Sequence, residues 1–171
     1  MITATTVFNE TALSLLAEIS VRKFRLQCYA LSFALLIVGT LFNLLALRSL
    51  WYNLLLLALC LVYLLRPHFY YKKLLKRYIT REREVYPMPR TVESTFDSDQ
   101  ISSHTVDNDS TVAVKYSVLT TIYEAKDYLV LMTEGKQGLP IAKTQIKGST
   151  ANELISFLKN KVPNLKHRKL K

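Results

Sequence analysis

Charge is missing from residues 26–65, with Arg48 the one exception. Elsewhere the scarce residues are glycine (four) and cysteine (two). Four glycines leave little scope for loops that cradle phosphate, and neither a P-loop, a GxGxxG nor a GxSxG stretch occurs. Cys28 and Cys60 lie in apolar surroundings without a CxxC or a His at ligand spacing, which argues against a disulfide framework or a zinc site. They read as small hydrophobes inside helices. His104 has no Ser or Cys partner at a recognisable spacing. Asp97, Asp99, Asp107 and Asp109 sit in turn-rich stretches, where Asp bonds its own backbone. No catalytic residue, metal ligand or cofactor is therefore expected, and the chain reads as non-enzymatic.

What is present is long apolar sequence. Residues 26–47 carry no charge, nor do residues 49–65. A membrane span needs about 20 apolar residues, with about 17 as the lower limit. One helix over 40 residues would be about 60 Å long, twice the hydrocarbon thickness. A soluble core helix would need a polar face, which residues 54–65 lack. Two spans joined at Arg48 fit best, with Arg48 and Trp51 at the outer interface. Basic residues flank the pair on one side: Arg22, Lys23 and Arg25 before it, then Arg66, Lys72, Lys73, Lys76 and Arg77 after it. The positive-inside rule places both termini in the cytoplasm. No cleavable signal peptide is expected, because about 25 polar and mixed residues precede the apolar run.

Asn43 and Asn53 stand five residues either side of Arg48 and so at similar depth. Either an interhelical hydrogen bond or separate access to headgroup water satisfies them. Gly39 and Ala58 also fall at matching depth, where small residues let backbones approach.

The net charge of +10 is unevenly placed. Residues 66–83 hold seven basic residues and one acidic; residues 159–171 hold six basic and none acidic. Residues 84–158 hold six basic and ten acidic, net −4. A nucleic-acid-binding domain would carry its basic charge on the fold itself, so no nucleic acid partner is expected. Residues 66–83 put Tyr71, Leu74, Leu75, Tyr78 and Ile79 on one helical face and Lys72, Lys73, Lys76 and Arg77 mostly off it; these four with Arg66 form a basic collar. Pro67 is expected to kink the chain where the span ends. The collar reads either as a topology signal or as a site for anionic lipid, at about 1 kcal/mol per basic residue near the surface.

Beyond the prolines at 87 and 89 the apolar period shortens to two. Strands are expected at 91–96, 100–106, 111–116, 120–125, 128–133 and 139–143. Thr150 and Glu153 have capping-box spacing and open a helix that Pro163 ends, with Leu154, Ile155, Leu158 and Val162 as its apolar stripe. Ile2–Phe8 reads as another strand, free to pair with an edge of that sheet, and Asn9 as the cap of a helix running into the first span. The expected organisation is an N-terminal strand and helix (1–25), a hairpin (26–66), a basic linker helix (67–86), an α+β domain (87–163) and a basic tail (164–171). The domain is expected to be a small antiparallel curved sheet closed by a C-terminal helix.

Two stretches carry a resemblance: "YSVLTTIYEAKDY", residues 116–128, and "GLPIAK", residues 138–143. With the two-span hairpin before them, they resemble the YcxB-like family over nearly the whole chain. The resemblance implies a multi-pass protein of the bacterial inner membrane whose cytoplasmic domain is similar to a pleckstrin-homology (PH) fold. It implies no activity and no catalytic residues. The expectation is a membrane-anchored binding or regulatory module with membrane lipids and a protein as partners, self-association being compatible with it. The alternative is an oligomeric transporter or channel subunit with a cytoplasmic sensor domain. Against it stand spans without acidic residues.

Overall fold

The computed structural model describes residues 2–47, 49–85, 89–107 and 109–170. In chain order the elements are β1 (Ile2–Phe8), α1 (Glu10–Phe42), a π-helical turn (Asn43–Leu47) and α2 (Leu50–Val85). Then come β2 (Arg90–Phe96), β3 (Gln100–Thr105), β4 (Ser110–Lys115), β5 (Leu119–Glu124), β6 (Tyr128–Thr133), β7 (Gly138–Ala142), β8 (Ile146–Lys147), α3 (Ala151–Lys161) and β9 (Lys166–Lys169). The chain divides into two compact units, residues 17–77 and residues 1–16 with 78–171.

Two helices, α1 and α2, are long and apolar enough to cross a membrane. Within residues 17–77 they run antiparallel and meet along a seam of small and polar groups. Ser32 Oγ donates to the Cys60 carbonyl at 3.3 Å, and Cys60 Sγ to the Ser32 carbonyl at 3.6 Å. A Cβ on Gly39 would come within 2.7 Å of the Leu56 side chain, so glycine permits this approach. Leu56, not Ala58, fills the space against Gly39, and Ala58 is exposed. Away from the seam the apolar side chains point outward: Leu26, Phe33, Val38, Leu55, Leu57 and Val62 are all exposed.

Pro67 does not end the helix. α2 is continuous from Leu50 to Val85 with Pro67 inside it. Proline removes a single bond, the one to the Tyr63 carbonyl, and its ring is buried. The residues expected to form a separate basic helix thus continue the second apolar one.

The other unit builds two sheets rather than one. The first has the order β4-β3-β2-β1-β8 and the second β7-β6-β5-β9. β1 is an interior strand: it pairs with β2 from Ile2↔Phe96 to Phe8↔Arg90, and with β8 on its other side. Alternation explains this, since Ala4, Thr6 and Phe8 are buried. Thr6 is fully buried, and its Oγ1 accepts the Ala142 N–H at 3.1 Å, tying the first sheet to β7 of the second. The core is Phe96, Ile101, Ile122, Leu129, Leu131 and Ile141 under Leu154, Ile155 and Leu158 of α3. The capping box forms in full: Thr150 Oγ1 accepts the Glu153 N–H, and Glu153 Oε2 accepts the Thr150 N–H.

The segment read as a basic tail contains β9, which pairs with β5 in parallel, whereas the other strand pairs among the described residues are antiparallel. α3 supplies the crossover that a parallel return requires. Leu165 is buried just before it. Four consecutive charged or titratable residues gave no apolar alternation by which to read a strand.

Candidate binding slot

The two sheets leave a slot between them with a volume of about 280 Å³. Val92, Ile101, Val112 and Val114 line it from the first sheet, and Leu119, Leu131 and Leu139 from the second. Period-two alternation puts these side chains on the inner faces. Three hydroxyl residues, Ser103, Thr105 and Thr133, add polarity; Ser103 Oγ shares a hydrogen bond of 3.1 Å with Ser94 Oγ. Gly138 also lines the slot. A Cβ there would collide with Leu16 Cδ2 and come within 3.1 Å of Met132 Sδ, so glycine leaves room for Leu16 of α1 where it sits against β7.

A charged pair stands at one end. Arg90 Nε lies 3.2 Å from Glu82 Oε2, and Arg90 Nη2 donates to Glu82 Oε1 at 3.4 Å. The side chains are 13% and 23% exposed. The Arg90 guanidinium lies over the Phe8 ring, 4.6 Å from its centroid. A guanidinium sandwiched in this way is held flat by both contacts. The slot can thus accept an apolar group and offer hydroxyls and a charged pair to its polar end. Among the described residues no group of carboxylates, histidines and cysteines could hold a metal ion.

A second constellation joins the two stretches that carried the family resemblance. Glu124 ends β5, and its Oε1 accepts Lys143 Nζ at 3.0 Å. His167 Nε2 of β9 lies 3.0 Å from Glu124 Oε2, and the Leu170 N–H reaches the Glu124 carbonyl at 2.7 Å. The hydrogen bond from Lys143 holds the Glu124 carboxyl below its ordinary range; the Lys143 charge and the His167 contact act the same way, against the effect of burial. Tyr116 donates its hydroxyl to the Asp97 carbonyl at 2.8 Å. Burial, then the charges of Asp97 and Asp99, push its pKa up to about 12. These groups fasten strands to one another and to the chain end.

The residues singled out in the sequence fall elsewhere. Asn43 and Asn53 are brought together: Asn43 Nδ2 donates to Asn53 Oδ1 at 2.9 Å, and Asn43 Oδ1 accepts the Ser49 N–H at 2.9 Å. Trp51 is 79% exposed. Arg48 lies outside the described residues. Arg66, Lys72, Lys73, Lys76 and Arg77 are all exposed on α2, while Tyr71, Leu74, Leu75, Tyr78 and Ile79 are half-buried. Arg66 sits over the Phe24 ring, 5.7 Å from its centroid. Asp107 Oδ2 accepts the N–H of Thr91 in β2, and Asp97 Oδ2 accepts the Ser102 hydroxyl of β3. The slot itself was not legible. Phe8 is far in sequence from Glu82 and Arg90. The alternation of residues 91–96 and 111–116 was the available signal for its walls.

A family model described as YcxB-like protein matches residues 96–158. The match runs from the last residue of β2 into α3, and leaves out both long helices, β1 and β9. It is narrower than the resemblance read from the sequence. No curated protein and no solved structure matches the chain.

Proposed function

We propose that this protein is a non-enzymatic binding module anchored in a membrane by its helical hairpin. In this reading α1 and α2 cross the membrane twice, with both chain termini in the cytoplasm of a bacterial cell. The outward apolar side chains support it: a buried soluble hairpin would turn Phe33, Val38, Leu55 and Leu57 inward. The exposed Lys72, Lys73, Lys76 and Arg77 then lie near anionic headgroups, each adding about 1 kcal/mol of attraction. The two-sheet unit closed by α3 corresponds in this reading to a PH-like domain.

The slot between the sheets carries the binding assignment. Its apolar walls, three hydroxyl residues and charged end suit an extended segment of a protein partner, with an apolar side chain inserted and polar backbone at the rim. A photocrosslinking residue at Leu139, inside the slot, tests this in native membranes, with one at Lys126 in the β5–β6 turn as control. A protein adduct specific to Leu139, lost when Ser103→Phe fills the slot, is expected. Adducts equal at both positions would contradict the assignment.

A further inference from the structure

Each sheet has two edges, and three of the four are blunted. β8 is two residues long. β7 contains Pro140, which has no N–H to offer. β9 presents Lys166, His167, Arg168 and Lys169 in succession. Short length, proline and positive charge are the usual devices against unwanted strand pairing. β4 is neither short nor interrupted by proline, and its one charge lies at its end. Ser110–Lys115 is six residues long, holds Thr111, Val112 and Val114, and is uncharged until its last residue. It pairs with β3 alone, and Val112 is 59% exposed.

We propose that β4 is a self-recognition strand through which two copies of this chain pair, antiparallel, about a two-fold axis at Val112. The charge pattern selects this occupant. Asp109 stands just before the strand with its side chain 96% exposed, and Lys115 ends it, also exposed. In an antiparallel pairing centred on Val112, Thr111 faces Ala113 and Ser110 faces Val114. Asp109, in the turn that leads into β4, then comes near Lys115 of the other copy, so opposite charges meet at both ends. A parallel pairing in register sets Lys115 against Lys115 and Asp109 against Asp109, which is repulsive. Asp109 sits in the left-handed region at φ 53°, which Asp tolerates, and His104 Nε2 is 3.7 Å from its carboxylate. The result is one continuous sheet across an isologous interface. The pairing edge adjoins the slot, since Val112 and Val114 also line it.

The full chain in lipid nanodiscs tests this, with Cys28→Ala and Cys60→Ala removing the native thiols. A single Val112→Cys is expected to give a disulfide-linked dimer under mild oxidant, because facing strand residues lie within disulfide reach, about 4.5–5.5 Å between Cα atoms. Val118→Cys, exposed but beyond β4, is expected to remain monomeric. Separately, Lys115→Asp is expected to weaken dimerisation about tenfold, and adding Asp109→Lys to restore it. A folded Val112→Cys protein that stays monomeric would overturn the proposal. So would a dimer indifferent to Lys115→Asp, or cross-links from Val112→Cys to other proteins alone.

Discussion

The hairpin and the sheet unit are patterned inside out with respect to each other. In the sheet unit Ile101, Ile122, Leu129 and Ile141 are fully buried, and charge lies outside. In the hairpin the apolar side chains are exposed, and the seam holds Ser32, Asn43, Cys60 and Gly39. Burial of apolar area stabilises the first in water. It cannot hold two helices together in lipid, where small residues and hydrogen bonds take its place. The same chain thus uses two different adhesives, consistent with the two solvents proposed for it.

The comparison breaks most visibly by truncation. Ile122→Ala is expected to destabilise the sheet unit by about 2–5 kcal/mol, read from its denaturation midpoint. Leu57→Ala, exposed on the hairpin, is expected to change stability by less than about 0.5 kcal/mol. Similar costs at both positions would remove the contrast. Glu82→Gln ranks next, because it leaves the Arg90 charge in a largely enclosed site; about 2 kcal/mol is expected, discounted for the remaining exposure.

Acid acts on the sheet unit through Glu124. Its carboxyl is held below its ordinary range in the fold, so the folded state binds this proton less readily than the unfolded chain does. The stability it contributes is present above the unfolded value, about 4.3, and is lost as pH falls through the lowered one. Glu124→Gln is therefore expected to flatten the acid limb of a stability–pH curve. At the other extreme Tyr116 keeps its proton more tightly when folded, so stability falls as pH rises from about 10 toward about 12. Tyr116→Phe removes that loss. A modest effect is expected at the hairpin seam, where Asn43→Leu with Asn53→Leu costs about 0.6 kcal/mol, and at most about 2. Unfolding of the hairpin in mixed micelles reads it.

Local pattern made some of this legible. Period-two alternation marked β2 to β7 within about a residue, and Thr150 with Glu153 marked the start of α3. The two apolar runs marked the long helices. Long-range placement was not written locally. Nothing in "ITATTVF" tells that β1 lies between β2 and β8, and nothing in "KHRK" tells that Glu124 and Leu165 hold it against β5. Pro67 does not mark a helix end, because it forfeits one backbone bond within a continuous α2. The slot was hidden because Phe8, Glu82 and Arg90 meet only once β1 is in the sheet.

The contrast rests on the hairpin lying in lipid and the sheet unit in the cytoplasm. A membrane-impermeant maleimide on intact spheroplasts tests it most directly, in chains lacking Cys28 and Cys60. Trp51→Cys is expected to label on intact cells, and Val118→Cys only after lysis. Labelling of Val118→Cys on intact cells, or of Trp51→Cys only after lysis, would contradict the account.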